Sequence, residues 1–349
     1  MIKTPRVDRY QEVFQKTIHR NICFFAHWEL TYRCNLKCRH CYIAPLAQKK
    51  ELSHTKALHI IDELKKMNCL YLCLSGGEIL CRDDFFDIAS YARAQGFALR
   101  LLTNGTLINK DSASRIAQLH PLAVDISIYA ASAALHDKIT RVKGSFTRAL
   151  SAAKLLKGCH LAVNFKFLVM KDNAREYKKV RQLAKSLRIP LLYDPCVITK
   201  DNGSKGPLRW RLHKAELKEF FRETAVSSPQ KREAEDRSVL CNAGLNNIFI
   251  SPYLDVYPCI GLKIKLGNLY KEGLGRIWQC SPKLQRLRQL KDSDLLECSQ
   301  CRFTQYCFRC PGIALVENKD LLGPSRFDCT VAKALYETYE KGRNTYAAQ

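Results

Sequence analysis

The fold is decided by residues 26–41, which read Ala26-His-Trp-Glu-Leu30-Thr-Tyr-Arg-Cys34-Asn-Leu-Lys-Cys38-Arg-His-Cys41. Ala26–Leu30 has the composition of a strand, and it runs into a loop with three cysteines spaced C-x3-C-x2-C. Three thiolates so placed hold three corners of an iron–sulfur cubane and leave one iron without a protein ligand. An open coordination position separates a catalytic metal centre from a closed structural one. The competing reading is a zinc site or buried free thiols. Zinc would want a fourth ligand close by, such as His40 or Tyr42, and this spacing is unusual for it.

Outward from this loop, short apolar runs alternate with helical patterns. Further strands are expected at Leu70–Leu74, Phe97–Leu102, Ala123–Ile128, Leu161–Val169 and Leu191–Val197. Between them, Ala57, Ile60, Ile61, Leu64 and Met67 make one helical stripe. Phe146, Ala149, Leu150, Ala153 and Leu156 make a second, and Tyr177, Val180, Leu183, Ala184 and Leu187 a third. Ser53 stands where the N-cap of the first helix belongs. Strands separated by helices imply an α/β fold with a parallel sheet and right-handed crossovers. The roughly 170 residues involved are too few for an eight-fold barrel of roughly 250, so an open, six-stranded partial (β/α)6 barrel is expected.

The pattern breaks at Asp201-Asn-Gly-Ser-Lys-Gly-Pro207, a turn-rich connection. A basic helix is expected at His213–Thr224, then a polar run, Ser227–Arg237, and a loop-rich, cysteine-rich stretch, Cys241–Cys329, closed by a helix at Val331–Lys341. The expected domains are an extension over 1–24, a barrel over 25–225, a linker over 226–240 and a second domain over 241–349.

Composition narrows the function classes. The 349 residues, 46% hydrophobic and 26% charged, describe an ordinary globular chain. Its N-terminus has no apolar run of the signal-peptide kind, and no stretch approaches the ~18 uncharged apolar residues of a membrane span. The 17 cysteines are odd in number, so they cannot all pair within one chain. A cytoplasmic, metal-binding protein is expected. The net charge of +24 is concentrated: residues 141–190 carry thirteen basic and two acidic side chains. That run is a solvated face or a docking face for an acidic partner. No aromatic-interleaved basic strand or recognition helix points to nucleic acid.

At this point the chain resembles the radical S-adenosylmethionine (SAM) enzymes, whose signature is the Cys34, Cys38, Cys41 spacing after the first strand of a partial barrel. Ser75-Gly-Gly-Glu78 after the second strand resembles the turn that binds the amino group of SAM, with Gly76 and Gly77 permitting close approach. Thr103-Asn-Gly-Thr-Leu107 follows the third strand, and Asp125-Ile-Ser127 ends the fourth, where the family has a ribose contact. His136-Asp-Lys-Ile-Thr-Arg141 followed by Gly144-Ser-Phe146 is similar to the segment whose arginine pairs with the SAM carboxylate. The resemblance therefore implies Gly76, Gly77, Glu78, Thr103, Asn104, Ser127 and Arg141 as cofactor contacts.

The second cysteine constellation, Cys241, Cys259, Cys298-Ser-Gln-Cys301, Cys307-Phe-Arg-Cys310 and Cys329, resembles the SPASM extension of these enzymes. A zinc ribbon is the alternative, but it would leave three cysteines over. The resemblance implies two auxiliary iron–sulfur clusters, of the [4Fe–4S] type. Cys241, Cys259 and Cys310 would bind the first, and Cys298, Cys301, Cys307 and Cys329 the second. The first set then has an open iron or a fourth ligand such as Cys280. Cys23, Cys69, Cys73, Cys81, Cys159, Cys196 and Cys280 remain as apolar packing. Two departures stand out: two residues, Phe308 and Arg309, separate the last pair where the family has three, and Leu254 replaces the glycine five positions before Cys259.

The family's chemistry implies reductive cleavage of SAM to methionine and a 5′-deoxyadenosyl radical that removes hydrogen from an unreactive carbon. SPASM enzymes mostly modify ribosomally made precursor peptides, forming thioether or carbon–carbon links. The aspartate that follows the second SPASM cysteine in sulfatase-maturing enzymes is replaced here by Ile260. A radical SAM peptide maturase is therefore expected. Oxidation of a protein side chain or modification of a small-molecule precursor is the alternative, and a cluster-stapled binding or scaffold protein the alternative of another class. The partners expected are the precursor peptide, a flavodoxin- or ferredoxin-type reductant and a separate leader-binding protein, with no membrane. No motif pins a general base.

Overall fold

The structure, a computed structural model, describes residues 5–44, 51–224 and 240–346. Helix α1 (Pro5–His19) precedes strand β1 (Phe25–Thr31), and βα units follow: α2 (His54–Lys66), β2 (Tyr71–Gly76), α3 (Phe85–Ala94), β3 (Ala98–Thr103), α4 (Lys110–Gln118) and β4 (Ala123–Ser127). Two helices, α5 (Ala133–Thr140) and α6 (Ser145–Gly158), fill the next crossover before β5 (Val163–Leu168), and α7 (Tyr177–Ser186) leads to β6 (Leu191–Asp194). All six strands are parallel in the order β6-β5-β4-β3-β2-β1. This is the α/β partial barrel that the alternation implies.

Alternation along the strands sorts core from site. Ala26, Trp28 and Leu30 of β1 are buried in one core with Ala57, Ile60, Ile61 and Leu64 of α2, while His27 between them faces the barrel interior. Ser53 accepts the Lys56 N–H at 3.3 Å and caps α2. The stripes of α6 and α7 pack through Ala149, Ala153 and Leu156, and through Tyr177, Val180 and Ala184, with Leu183 and Leu187 only half-buried.

The C-terminal half departs from the sequence reading. After α8 (Lys214–Thr224), the stretch read as loop-rich contributes β7 (Asn247–Ile250), β8 (Asp255–Tyr257) and β9 (Gly267–Asn268). β7 joins β1 in parallel, with Ala26 opposite Ile248, and β8 and β9 add antiparallel, so one sheet has nine strands. These strands are two to four residues long, too short for a period-2 pattern to show. The linker read over 226–240 lies, apart from Leu240, outside the described residues.

Leu254 has φ 65°, the left-handed conformation that glycine favours. Its N–H closes a turn on the Ser251 carbonyl at 2.9 Å, between β7 and β8. The backbone shape belonging to a glycine is thus kept, at a cost of about 1 kcal/mol, and the leucine side chain is fully buried in return. Around Cys280 the chain forms two helices, α9 (Leu274–Cys280) and α10 (Pro282–Gln289), because Pro282 cannot continue α9 and opens α10 instead. Short α11 (Leu296–Ser299), α12 (Pro311–Asn318) and the long α13 (Arg326–Tyr346) complete the chain. No helix among the described residues is long and apolar enough to cross a membrane.

Candidate active site

The carboxyl ends of the barrel strands open into a cavity of about 1420 Å³, with Cys34, Cys38 and Cys41 on its wall. Backbone bonds hold their loop from three sides. The N–H groups of Lys37 and Arg39 donate to the carbonyls of Thr140 and Ile139 at the end of α5, at 3.0 and 3.1 Å. Gly77 N–H donates to Thr31 O at 2.7 Å and Glu78 N–H to Arg33 O at 2.9 Å. Beyond the cysteines, Asp201 Oδ1 accepts the Ala44 N–H and Asp201 N–H donates to Tyr42 O, each at 2.8 Å.

The three thiols sense one another electrostatically. Burial pushes Cys34 up to about 11 and raises Cys38 and Cys41 as well, so their thiolates need a cationic partner to persist. Three soft donors with one side open to a cavity fit an iron–sulfur cluster.

Gly76, Gly77, Thr103, Asn104, Ser127 and Arg141 all line the same cavity. The two glycines also permit a close approach within the protein. A Cβ on Gly76 would lie 2.2 Å from Thr31 O, and one on Gly77 2.3 Å from Arg33 O. They let the β2 turn seat against the backbone entering the cysteine loop. Glu78 stands behind the wall: its carboxylate accepts Asn104 N–H and Thr103 Oγ1–H at 2.7 Å and Leu80 N–H at 3.2 Å. Both carboxylate oxygens are engaged, and through them Glu78 ties β2 to β3. Asn104 in turn donates Nδ2–H to Asn35 Oδ1 at 2.9 Å and towards Cys34 Sγ at 3.8 Å.

Arg141 ends α5 with φ 60°. The following turn is hooked by Asp137, whose carboxylate accepts from Gly144 N, Ser145 Oγ and Phe146 N at 2.6–2.9 Å. Both Arg141 and the carbonyls that hold the cysteine loop thus come from one short helix.

Sequence reasoning weighed His40 only as a zinc ligand and passed over Glu29. His40 sits beside the triad, its ring 4.7 Å from that of Tyr129, and its Nδ1 is buried without a partner. Burial lowers it to about 4, so a neutral imidazole faces the cavity with polar capacity to spare. Glu29 on β1 is fully buried and accepts the Tyr42 hydroxyl, while its Oε2 has no partner. Burial raises it to about 7 against the opposing Tyr42 hydrogen bond and the charge of Lys263. Glu29 shares the alternation that places His27 on one side of β1, a signal present in the sequence.

The remaining cysteines fall into two groups. Cys298, Cys301, Cys307 and Cys329 sense one another. Cys310 senses Cys241, and its Sγ lies 4.0 Å from where a Gly261 Cβ would be. Cys259 and Gly261 share the wall of the cavity with the N-terminal triad. Cys23 and Cys69 are buried together in the core. Cys280 is exposed at the end of α9, a helix that packs on α2 in the outer layer, with Glu63 of α2 accepting the Leu274 N–H. Cys196, read as packing, stands instead on the cavity wall.

Known proteins agree with this geometry. Residues 28–184 match the radical SAM superfamily, and residues 241–302 match SPASM, an iron–sulfur cluster-binding domain. The AdoMet-dependent heme synthase of Methanosarcina barkeri is 28% identical over 84% of this chain and 93% of its own length. The mycofactocin maturase of Mycolicibacterium smegmatis is 29% identical over 88% of this chain and 82% of its own. The crystal structure of Streptococcus suis SuiB bound to the precursor peptide SuiA superposes with a TM-score of 0.70 at 15% identity, covering 94% of this chain and 82% of that one. SAM and [4Fe–4S] clusters are the cofactors that these two domains bind. The chain carries a radical SAM domain followed by a SPASM domain.

Proposed function

We propose that the chain modifies a ribosomally made precursor peptide by radical SAM chemistry. The observation that carries this reading is one cavity whose wall holds the open-sided cysteine triad, the polar turns of β2–β4 and Arg141. Cys34, Cys38 and Cys41 would hold the SAM-binding cluster. When bound, that cluster supplies the electron that splits SAM into methionine and a 5′-deoxyadenosyl radical able to take hydrogen from carbon.

The chain's own residues position and shield. Gly76 and Gly77 set the β2 turn against the triad loop, and Thr103 and Asn104 extend that wall. Ser127 and His40 offer polar contacts to a nucleoside, and the Arg141 guanidinium suits the carboxylate of SAM. Cys241, Cys259 and Cys310 would hold one auxiliary cluster and Cys298, Cys301, Cys307 and Cys329 another.

The cavity wall also carries Arg33, Lys37, Arg39, Lys200 and Arg209 against Glu51 and Asp194. Such a wall favours a substrate with carboxylates, here an acidic peptide segment. The mycofactocin maturase and the subtilosin biosynthesis protein of Bacillus subtilis, 28% identical, support a peptide. The similarity to a heme synthase supports a second reading, a porphyrin with carboxylate arms, which the same basic wall would suit. A cytoplasmic setting follows from the thiol chemistry, with a flavodoxin- or ferredoxin-type reductant and a separate leader-binding protein as partners. The basic run of residues 141–190 offers a face to either.

The test is an anaerobic turnover with an acidic precursor peptide and, separately, a tetracarboxylate porphyrin. A peptide product lighter by two hydrogens, with affinity falling steeply as salt rises, is expected. Turnover of the porphyrin alone would replace the first reading by the second.

A further inference from the structure

We propose that Cys196 is the fourth thiolate of the first auxiliary cluster, which the SPASM cysteines alone leave one ligand short. The inference rests on reading Cys241, Cys259 and Cys310 as cluster ligands, and not on the nature of the substrate. Cys196 lies two residues beyond β6, the edge strand of the barrel, on the cavity wall that Cys259 and Gly261 also form. Its neighbour is pinned to the C-terminal half: Arg211 donates Nε–H to Val197 O at 2.7 Å and also bonds Glu317 of α12, the helix that starts directly after Cys310. At the near end of α12, a Cβ on Gly312 would meet Gly261 O at 2.2 Å, so the Cys259 turn packs onto the same helix start.

Cys310 lies within electrostatic reach of Cys196, and Cys241 within reach of Cys310. The segments carrying the four cysteines thus meet around the start of α12: the end of β6 through Arg211, the turn after β8 through Gly261, where a Cβ would lie 4.0 Å from Cys310 Sγ, and the loop before β7 through the Cys310–Cys241 pair. Oxygen donors nearby are already engaged. Asp194 Oδ1 accepts the Cys196 N–H at 2.7 Å, and Asp328 Oδ2 accepts the Cys310 N–H at 2.8 Å. A half-buried thiol that lines a cavity is open to a ligand, and a soft donor is what an iron short of a ligand selects. With four thiolates the cluster is closed to substrate atoms, which leaves it electron transfer as its task. It also staples the barrel's edge strand to the C-terminal half.

The test uses the full-length chain with Cys34, Cys38 and Cys41 all changed to alanine, so that only auxiliary clusters load. This parent should hold about eight irons in two four-iron clusters. Adding Cys196→Ala should remove about one iron and bring up a three-iron cluster signal in the electron paramagnetic resonance spectrum of the oxidised protein. Cys196→Ser should keep the irons and shift the spectrum of the reduced cluster, and Cys280→Ala should change neither. Iron content and spectra identical between parent and both Cys196 variants would overturn the proposal while leaving the cluster reading intact. A parent that takes up no iron would overturn both.

Discussion

Gly77→Ala is expected to empty the N-terminal cluster site. The added methyl would sit 2.3 Å from Arg33 O and 2.8 Å from Arg33 C and Tyr32 O, all backbone atoms of the strand end that feeds the cysteine loop. Side chains can rotate away from such a clash, but a backbone paired on both sides cannot. The turn must therefore separate from the loop, breaking the Gly77–Thr31 and Glu78–Arg33 hydrogen bonds. Overpacking of this kind costs about 1–3 kcal/mol, and two lost hydrogen bonds add to it. Reconstituted Gly77→Ala should lose about four irons, those of one cluster, and bind SAM weakly, with the auxiliary irons unchanged. Gly158→Ala, at a position with open space around the Cβ, is the control and should load normally. Full iron and normal SAM affinity in Gly77→Ala would mean that the turn does not position the loop.

Glu78→Ala should be the most destabilising single change in the barrel. Glu78 is 1% exposed, and its carboxylate is the acceptor for Asn104 N–H, Thr103 Oγ1–H and Leu80 N–H. Burial favours protonation of this acid, and the three donors oppose it. Alanine leaves these donors unsatisfied where water is excluded, for a loss of about 3–5 kcal/mol. Asn104, which reaches towards Cys34, is displaced with them, so SAM affinity should fall together with stability. Chemical denaturation and SAM titration of the same preparation check both. A Glu78→Ala protein of native stability that had lost only SAM binding would show that the carboxylate contacts the cofactor and is not a brace.

The barrel was legible because its signals are long. The helical stripes from Ala57, Phe146 and Tyr177 span several turns, and each strand between them is a β-rich run bounded by turns. The cysteine spacing was equally plain, since thiols in a short loop have few other uses. What stayed hidden depends on contacts distant in sequence. β7 becomes a strand only because β1 offers a free edge more than two hundred residues earlier. The bracing role of Glu78 shows only when its three donors are seen around it. Leu254 reads as the loss of a glycine, yet the chain keeps the left-handed turn and buries the side chain. Cys196 lies in an apolar-looking run, and only the packing of Arg211 between Val197 and Glu317 brings that segment to Cys310.

The claim beneath all of this is that Cys34, Cys38 and Cys41 present a cluster to SAM inside the barrel. It is tested most directly by incubating the anaerobically reconstituted, dithionite-reduced chain with SAM and quantifying 5′-deoxyadenosine and methionine. Both should form in equal amounts with the native chain, and neither when the three cysteines are alanine. Zinc in place of iron at this loop, or no deoxyadenosine from fully iron-loaded protein, would contradict it.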